Sequence, residues 1–344
     1  MKIEVKNWSF NNNDHLWLED SDPNNYIYDD ICEGCGSKMN EIAIIKNHKS
    51  QAGLITGLCP NCGYVKRLNN LPEEWFSEHF AKRWLKGKNS HISDQQTLKE
   101  DHYVFNKLFK YMPNDLNLSV LDAGCGIGQR LMPFNDYGFK VFGFDPSEHR
   151  TKIASDVMDN IEVNSAEDYF QDTNENFDVV YFFNVLQFVK DPFIVIEEAS
   201  KKLSDGGLLF FSVGQFYNDA NYVQFSHLGV IRSFLSLFSL KNLFEKLNLW
   251  PVEYSSSPME IILRKGQPCS SNSKTILNSA NKVSDRDIEK YIRKTLKFNR
   301  LNLFGSSIIR YQGRKIALKK QKKFKNMLPV EFSHDNESVP ILLK

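Results

Sequence analysis

Four of the six cysteines fall in two close pairs, Cys32-Glu-Gly-Cys35 and Cys59-Pro-Asn-Cys62, with 23 residues between the pairs. Two thiolates on one tight turn, facing two on another, can close a tetrahedral Zn²⁺ site with Zn–S distances near ~2.3 Å. Gly36 and Gly63 directly follow the second cysteine of each pair, where such a turn asks for a positive φ. Disulfides are the rival chemistry. They are disfavoured here because the first residues, Met1-Lys-Ile-Glu-Val-Lys-Asn-Trp8, contain no apolar export core, and a reducing cytoplasm is the expected setting. With cysteine at all four positions no coordination place remains for a reactive water, so Cys32, Cys35, Cys59 and Cys62 are expected to hold a structural ion. A ribbon of about 40 residues buries too little apolar surface to fold alone, and the metal would supply that stability.

A second chemistry-bearing segment is Val120-Leu-Asp-Ala-Gly-Cys-Gly-Ile-Gly128. An apolar strand ends near Asp122 and runs into Gly124-x-Gly126-x-Gly128, where missing side chains let a ligand approach the backbone closely at the start of a helix. A dinucleotide fingerprint would require glycine at position 129, which is Gln129. Asp145 lies 21 residues after Gly124 and is expected at the carboxyl end of the neighbouring strand, where folds of this kind bind a diol.

The elements that must position these residues follow from periodicity. From Ser119 to about Lys265 apolar runs alternate with amphipathic ones, the pattern of a doubly wound α/β sheet. Strands are predicted near 118–122, 140–144, 160–163, 177–182 and 207–213, with helices at about 128–137, 147–157, 167–171 and 191–203. Phe238–Leu249 reads as a helix, and Trp250–Ser257 with Met259–Lys265 as an antiparallel C-terminal hairpin joined at Pro258. Pro72 opens an amphipathic helix whose Trp75, Phe76, Phe80 and Trp84 recur at helical spacing, as core packing does. The predicted organisation is an N-terminal segment with the ribbon over 1–70, linking helices over 71–112, the sheet domain over 113–265, a Ser/Asn-rich linker over 266–282 and a basic extension over 283–344.

The Gly-x-Gly-x-Gly turn after Asp122 resembles motif I of the class I S-adenosylmethionine (SAM) dependent methyltransferases, and the resemblance extends well beyond it. Val141-Phe-Gly-Phe-Asp145-Pro-Ser is similar to that family's second strand, Asn164-Ser-Ala-Glu167 to its adenine-lining segment, Phe177 to Leu186 to its fourth strand and exit, and Leu203 to Phe211 to its fifth. The resemblance implies a Rossmann-like methyltransferase sheet and SAM as cofactor. It places the cofactor on Asp122, Ala123, Gly124, Cys125, Gly126, Gly128, Asp145, Pro146, Ser165, Ala166 and Asn184, with Asp145 accepting both ribose hydroxyls. Ser165 stands where the family often has Asp, and Gln187-Phe188 where many members have Glu-His. The ribbon, aromatic helix and sheet in this order resemble, over about 30–265, the zinc-ribbon methyltransferases of bacterial polysaccharide, deoxysugar and natural-product pathways. That narrower likeness implies a sugar, glycan or related small-molecule acceptor, with methylation on oxygen favoured over carbon.

His227 follows the fifth strand in an insertion expected over the mouth of the SAM pocket, and histidine titrates near working pH; it is the candidate general base. Tyr217, Asp219 and Tyr222 share that insertion, while the other histidines read as surface or packing residues. Overall charge excludes a global field: 43 Lys and Arg balance 42 Asp and Glu, for a net +1. From Lys282 to Lys325, however, fifteen basic residues face three acids. That run reads first as a solvated face, then as a surface for a phosphate-bearing substrate or anionic lipid, and last for RNA. The most apolar stretches carry charges and are too short to span a bilayer. Two rival readings stand beside the small-molecule enzyme: an RNA or protein methyltransferase docking through ribbon and basic tail, and a zinc scaffold with a vestigial SAM pocket.

Overall fold

The computed structural model describes residues 3–5, 25–45, 54–83, 95–113, 115–213, 230–256, 259–268 and 271–282. The chain divides into two compact units, 1–290 and 291–344, and the described residues all belong to the first.

The N-terminal part holds β1 (Ile3–Val5), β2 (Ile27–Tyr28), β3 (Asn40–Ile45), β4 (Leu54–Leu58), β5 (Val65–Arg67) and β6 (Asn69–Asn70). After it come α1 (Glu73–Glu78), which passes into a π-helical turn over His79–Arg83, and α2 (Gln95–Phe109). The alternating region then runs β7 (Ser119–Ala123), α3 (Met132–Tyr137), β8 (Lys140–Asp145), α4 (Glu148–Ser155), β9 (Ile161–Val163), α5 (Ala166–Asp172), β10 (Phe177–Phe183), α6 (Pro192–Lys201) and β11 (Leu203–Val213). The last elements are β12 (Ser233–Phe234), α7 (Leu237–Lys246), β13 (Leu249–Ser256), β14 (Met259–Lys265) and α8 (Ser271–Asn278).

Seven strands form the main sheet in the order β13-β14-β11-β10-β7-β8-β9. β9 to β11 run parallel, and β14 lies antiparallel between β11 and β13. Its central strands read as near-continuous apolar runs because helices cover both faces, and Val180, Tyr181, Phe182, Phe210 and Phe211 have no accessible surface. Pairing of β7 with both β8 and β10 brings the ends of β7, β8 and β10, hence Asp122, Asp145 and Phe183, to one edge of the sheet.

A second sheet of five strands, β1-β3-β4-β5-β12, carries the cysteine turns. Its last strand, β12, comes from beyond the main sheet and pairs antiparallel with β5, Ser233 opposite Lys66 and Phe234 opposite Val65. The expected boundary at residue 70 is therefore bridged in the fold. Cys32, Met39, Cys59, Tyr64 and Leu68 share one continuous core with Leu186, Phe193 and Phe211 of the main sheet region. The second division falls at 290/291, whereas the sequence placed the start of the basic extension at 283.

Other expectations change in detail. The stretch 266–282 is not simply a linker: Ser271–Asn278 forms α8 against β13, burying Ser273 and Leu277. The helix expected from 128 begins at Met132, because Gly128 to Leu131 turn first. The helix expected to Leu249 stops at Lys246, and Leu249 opens β13. The strand expected from 207 begins at Leu203, so that Asp205-Gly-Gly207 lies inside β11, with Gly206 at φ 78 and a register shift opposite Phe177 and Val179. In the aromatic stripe only Phe76 is buried; Trp75 and Phe80 are half-exposed. Trp84 lies outside the described residues.

Candidate functional site

At the end of β7 the chain turns through Gly124, Gly126 and Gly128 at φ 82, 58 and 78, conformations that residues with a Cβ seldom adopt. Space is equally restrictive: a Cβ on Gly124 would stand 2.5 Å from Val185, which follows β10, and one on Gly126 would stand 2.3 Å from the Arg150 guanidinium. The turn is pinned to β8. The N–H groups of Gly124 and Cys125 both donate to the Phe144 carbonyl at 2.8 Å, and Gly126 N–H donates to Asp145 Oδ2 at 3.0 Å. Ser147 N–H donates to the other Asp145 oxygen at 3.0 Å. An ionised carboxylate has about four acceptor positions, so about two remain for a ligand's hydroxyl pair. Burial raises the Asp145 carboxyl above its ordinary value, opposed by Arg150, 3.7 Å away, and by these two N–H groups.

Asp122 lies beside Tyr181 in register and is almost wholly buried. Its carboxyl is pushed up to about 7 by burial, with the nearby Arg130 charge pulling it down. Cys125 turns its sulfur inward against Gly143, so only its backbone borders the turn; burial pushes that thiol up, as for an inert packed cysteine. Pro146 and Ala166 follow Asp145 and Ser165, at the ends of β8 and at the start of α5. The Ser165 hydroxyl is committed to the α5 N-cap, accepting from Asp168 N–H at 3.1 Å and donating to Asp168 Oδ2 at 2.7 Å. Asn184 is exposed, at φ 60, and its N–H donates to the Ser212 carbonyl at 2.9 Å. The structure thus brings Asp122, Gly124, Gly126, Gly128 and Asp145 together around one turn. His227, Tyr217, Asp219 and Tyr222 lie outside the described residues, as does nearly all of the basic run.

Two arginines at this turn escaped the sequence reading, Arg130 and Arg150. The available signal was a cation two residues past the last glycine of the turn, and another in the first turn of α4, after β8. A shallow pocket lined by Leu118, Asp178, Gly206 and Arg264 opens at the amino ends of β7 and β10, away from this turn.

The four cysteine sulfurs lie within 4.8 Å of one another. Cys32 and Cys62 are 3.5 Å apart and Cys35 and Cys59 3.4 Å, far beyond the ~2.05 Å of a disulfide. Four sulfurs at ~2.3 Å around one ion would be about 3.8 Å apart, so the arrangement fits a tetrahedral thiolate site. Gly36 at φ 69 and Gly63 at φ 67 close the two knuckles, each donating its N–H to the carbonyl of the first cysteine of its own pair. Lys66, almost fully buried, braces the first knuckle through Glu33 Oε1 at 2.6 Å, Asp29 Oδ2 at 2.9 Å and the Ile31 carbonyl at 2.6 Å. The whole cluster packs on α6: Tyr64 meets Phe193 edge-on at 4.9 Å, and a Cβ on Gly34 would stand 2.7 Å from that ring.

Residues 97–254, which hold the parallel strands, the Gly-rich turn and the acidic residue facing it, match the model of a methyltransferase domain. Among curated proteins the chain is 34% identical over 102 residues to the ubiquinone biosynthesis O-methyltransferase of Hydrogenovibrio crunogenus, covering 28% of this chain and 42% of that one. It is 27% identical over 187 residues to the human mitochondrial enzyme of the same name, covering 50% of this chain and 47% of that one. The chain thus spans less than half the length of these relatives. Among solved structures it aligns with magnesium protoporphyrin IX methyltransferase from Synechocystis with bound SAH at TM-score 0.44 and 15% identity, covering 57% of this chain and all of that one.

Proposed function

We propose that the chain is a SAM-dependent methyltransferase acting on an oxygen of a small-molecule acceptor. The observation that carries this reading is the closure of the Gly124–Gly128 turn on Asp145, which leaves a buried carboxylate two free acceptor positions beside a surface stripped of side chains. When bound, SAM supplies a methyl group already activated on a sulfonium. The protein therefore needs to hold the acceptor in line, exclude water and receive a proton. In this reading Asp145 takes the ribose hydroxyls, while Ser165 orders α5 and Ala166, Pro146 and Asn184 border the nucleoside. His227 receives the acceptor's proton. The O-methyltransferase names of the relatives favour oxygen as the acceptor atom.

A sugar or glycan acceptor rests only on the order of ribbon, helix and sheet, and the relatives lend it no support. We further propose that the cysteine cluster holds one structural Zn²⁺, which agrees with a reducing, cytoplasmic setting; no helix among the described residues is long and apolar enough to cross a membrane. Calorimetric titration with SAM and with S-adenosylhomocysteine (SAH) tests the cofactor reading, and absence of binding by well-folded protein would refute it. Mass spectrometry of extracts from cells lacking the chain, searched for a lost 14-dalton increment, would identify the acceptor. With that acceptor, His227→Ala should lower kcat by roughly 10²–10⁴ and leave SAM affinity unchanged; retained turnover would remove His227 from the mechanism.

A further inference from the structure

The exit of β10, Asn184 to Phe188, meets three neighbours. Val185 packs against the Gly-rich turn, where a Cβ on Gly124 would stand 2.5 Å from it. Phe188 meets Phe80 of the π-helical turn edge-on, with ring centroids 5.7 Å apart. The Gln187 carbonyl accepts the N–H groups of Arg232 and Ser233, on the stretch that runs into β12 of the ribbon sheet. Gln187 and Arg232 are 4% and 7% exposed, and each carries one buried polar atom without a hydrogen-bond partner, Gln187 Oε1 and Arg232 Nε. Both terminal nitrogens of Arg232 are engaged by Glu73, so Nε is the donor left over. An unpaired buried polar atom destabilises the folded chain. A lone acceptor and a lone donor on two backbone-paired residues therefore mark a place kept for a group that brings its own hydrogen bonds.

The chemistry of the two atoms says which group. A hydroxyl donates one hydrogen bond and accepts another at the same atom, giving its hydrogen to Gln187 Oε1 and taking one from Arg232 Nε. Neither side chain can remove that proton, because an amide is not basic and a guanidinium stays charged. A hydroxyl held here is therefore not the one that is methylated. Phe76, with its ring centroid 4.4 Å from the Arg232 guanidinium carbon, and the Phe80–Phe188 pair supply apolar surface nearby. Val185 ties the same short exit to the Gly-rich turn. We propose that Gln187 and Arg232 form an acceptor subsite, and that the acceptor carries at least two hydroxyls, one held between these residues and one methylated. The ribbon then takes part in choosing the acceptor, because the strand it shares with the rest of the fold brings in Arg232. This rests on the O-methyltransferase reading above.

Gln187→Met keeps the length of the side chain and removes the lone acceptor. In the full chain it should bind SAM within about twofold of wild type by calorimetry and raise the apparent KM for the acceptor about 5- to 50-fold. The acceptor is supplied as an extract of cells lacking the chain, and transfer from methyl-labelled SAM is followed as the extract is diluted. Gln187→Glu, which keeps an oxygen to receive the hydroxyl's hydrogen, should stay within about threefold of wild type. The wild-type product, acetylated chemically and read by mass spectrometry, should still take up an acetyl group on a free hydroxyl. An unchanged apparent KM in Gln187→Met would mean that the place holds a water only, and a product with no free hydroxyl would equally overturn the subsite. SAM affinity lost in parallel would assign Gln187 to the cofactor instead. A wild-type chain that binds SAM but labels nothing in the extract would overturn the O-methyltransferase reading and the subsite together. Should Gln187→Met fail to fold, Gln187→Asn, too short to reach the hydroxyl, decides on the same two measurements.

Discussion

Removing the clasp between Arg232 and Glu73 should loosen the ribbon from the methyltransferase domain. Arg232 donates to Glu73 Oε2 at 2.8 Å and Oε1 at 2.5 Å, and its guanidinium carbon lies 4.4 Å from the Phe76 ring centroid. The arginine side chain is only 8% exposed, its partner 44%. Breaking a fully buried pair costs about 3–5 kcal/mol, and the half-exposed glutamate brings Glu73→Ala down to about 2 kcal/mol. Arg232→Ala additionally loses a cation–π contact of about 1 kcal/mol and some stem burial, giving about 3–4 kcal/mol. At roughly 2 °C per kcal/mol for a unit of this size, the variants should melt about 4 °C and 6–8 °C lower. Urea unfolding of both single variants and the double variant yields the coupling, expected at about 1–2 kcal/mol. Strict additivity, or a Glu73→Ala midpoint equal to wild type, would show that the clasp is a surface pair of no consequence.

Asp145→Ala should weaken SAM by about 2–4 kcal/mol in calorimetry, since two charge-assisted bonds are lost and do not add fully; unchanged affinity would exclude the ribose assignment. The Asp122 carboxyl, pushed up to about 7, keeps its proton in the folded chain at pH values where the unfolded chain has released it. Its contribution to stability is therefore full below about pH 4 and lost as pH rises to about 7, so Asp122→Asn should show a flatter fall in urea midpoint across that window. Gly128→Ala places a methyl group 2.2 Å from Met158 Cε at a φ of 78, and should lower stability by about 2–4 kcal/mol in the same assay. Elemental analysis should find one zinc per chain, with Cys62→Ser losing it.

Much of the fold was legible because its signals are local. Apolar runs of four or five residues such as Leu208 to Phe211 and Val179 to Phe183, in a region punctuated by Gly and Pro, mark buried parallel strands, and the two C-x-x-C turns announce their own geometry. The contacts that sequence spacing cannot carry were the ones missed. The two-residue β12 has no periodicity to read, and its partner β5 lies more than 160 residues earlier. Helix α8 hides in a Ser/Asn-rich stretch whose apolar content is little more than Ile276 and Leu277. At the site, Asp122, the glycines and Asp145 declared themselves by type and order. Arg130 and Arg150 did not, because an arginine near a turn is ordinary until its missing or chosen partner is seen in space.

The shared strand also changes what metal loss should do. Reading the ribbon as a separate segment implies that a cysteine variant unfolds it locally and leaves the cofactor site alone. In the fold, β5 pairs with β12, and the Arg232 and Ser233 N–H groups of that same short stretch both donate to the Gln187 carbonyl, at 2.9 and 3.3 Å, three residues after Asn184. Cys32 and Cys59 sit in the same core as Leu186 and Phe193. With the proposed ion in the cluster, its loss would remove one wall of the core that seats the exit of β10. Chelation should lower the melting temperature of the whole unit in a single transition and weaken SAM in parallel, read by calorimetry with and without added Zn²⁺. Two separate transitions, with SAM affinity untouched after the first, would mean that the ribbon unfolds on its own and that β12 and Gln187 transmit nothing.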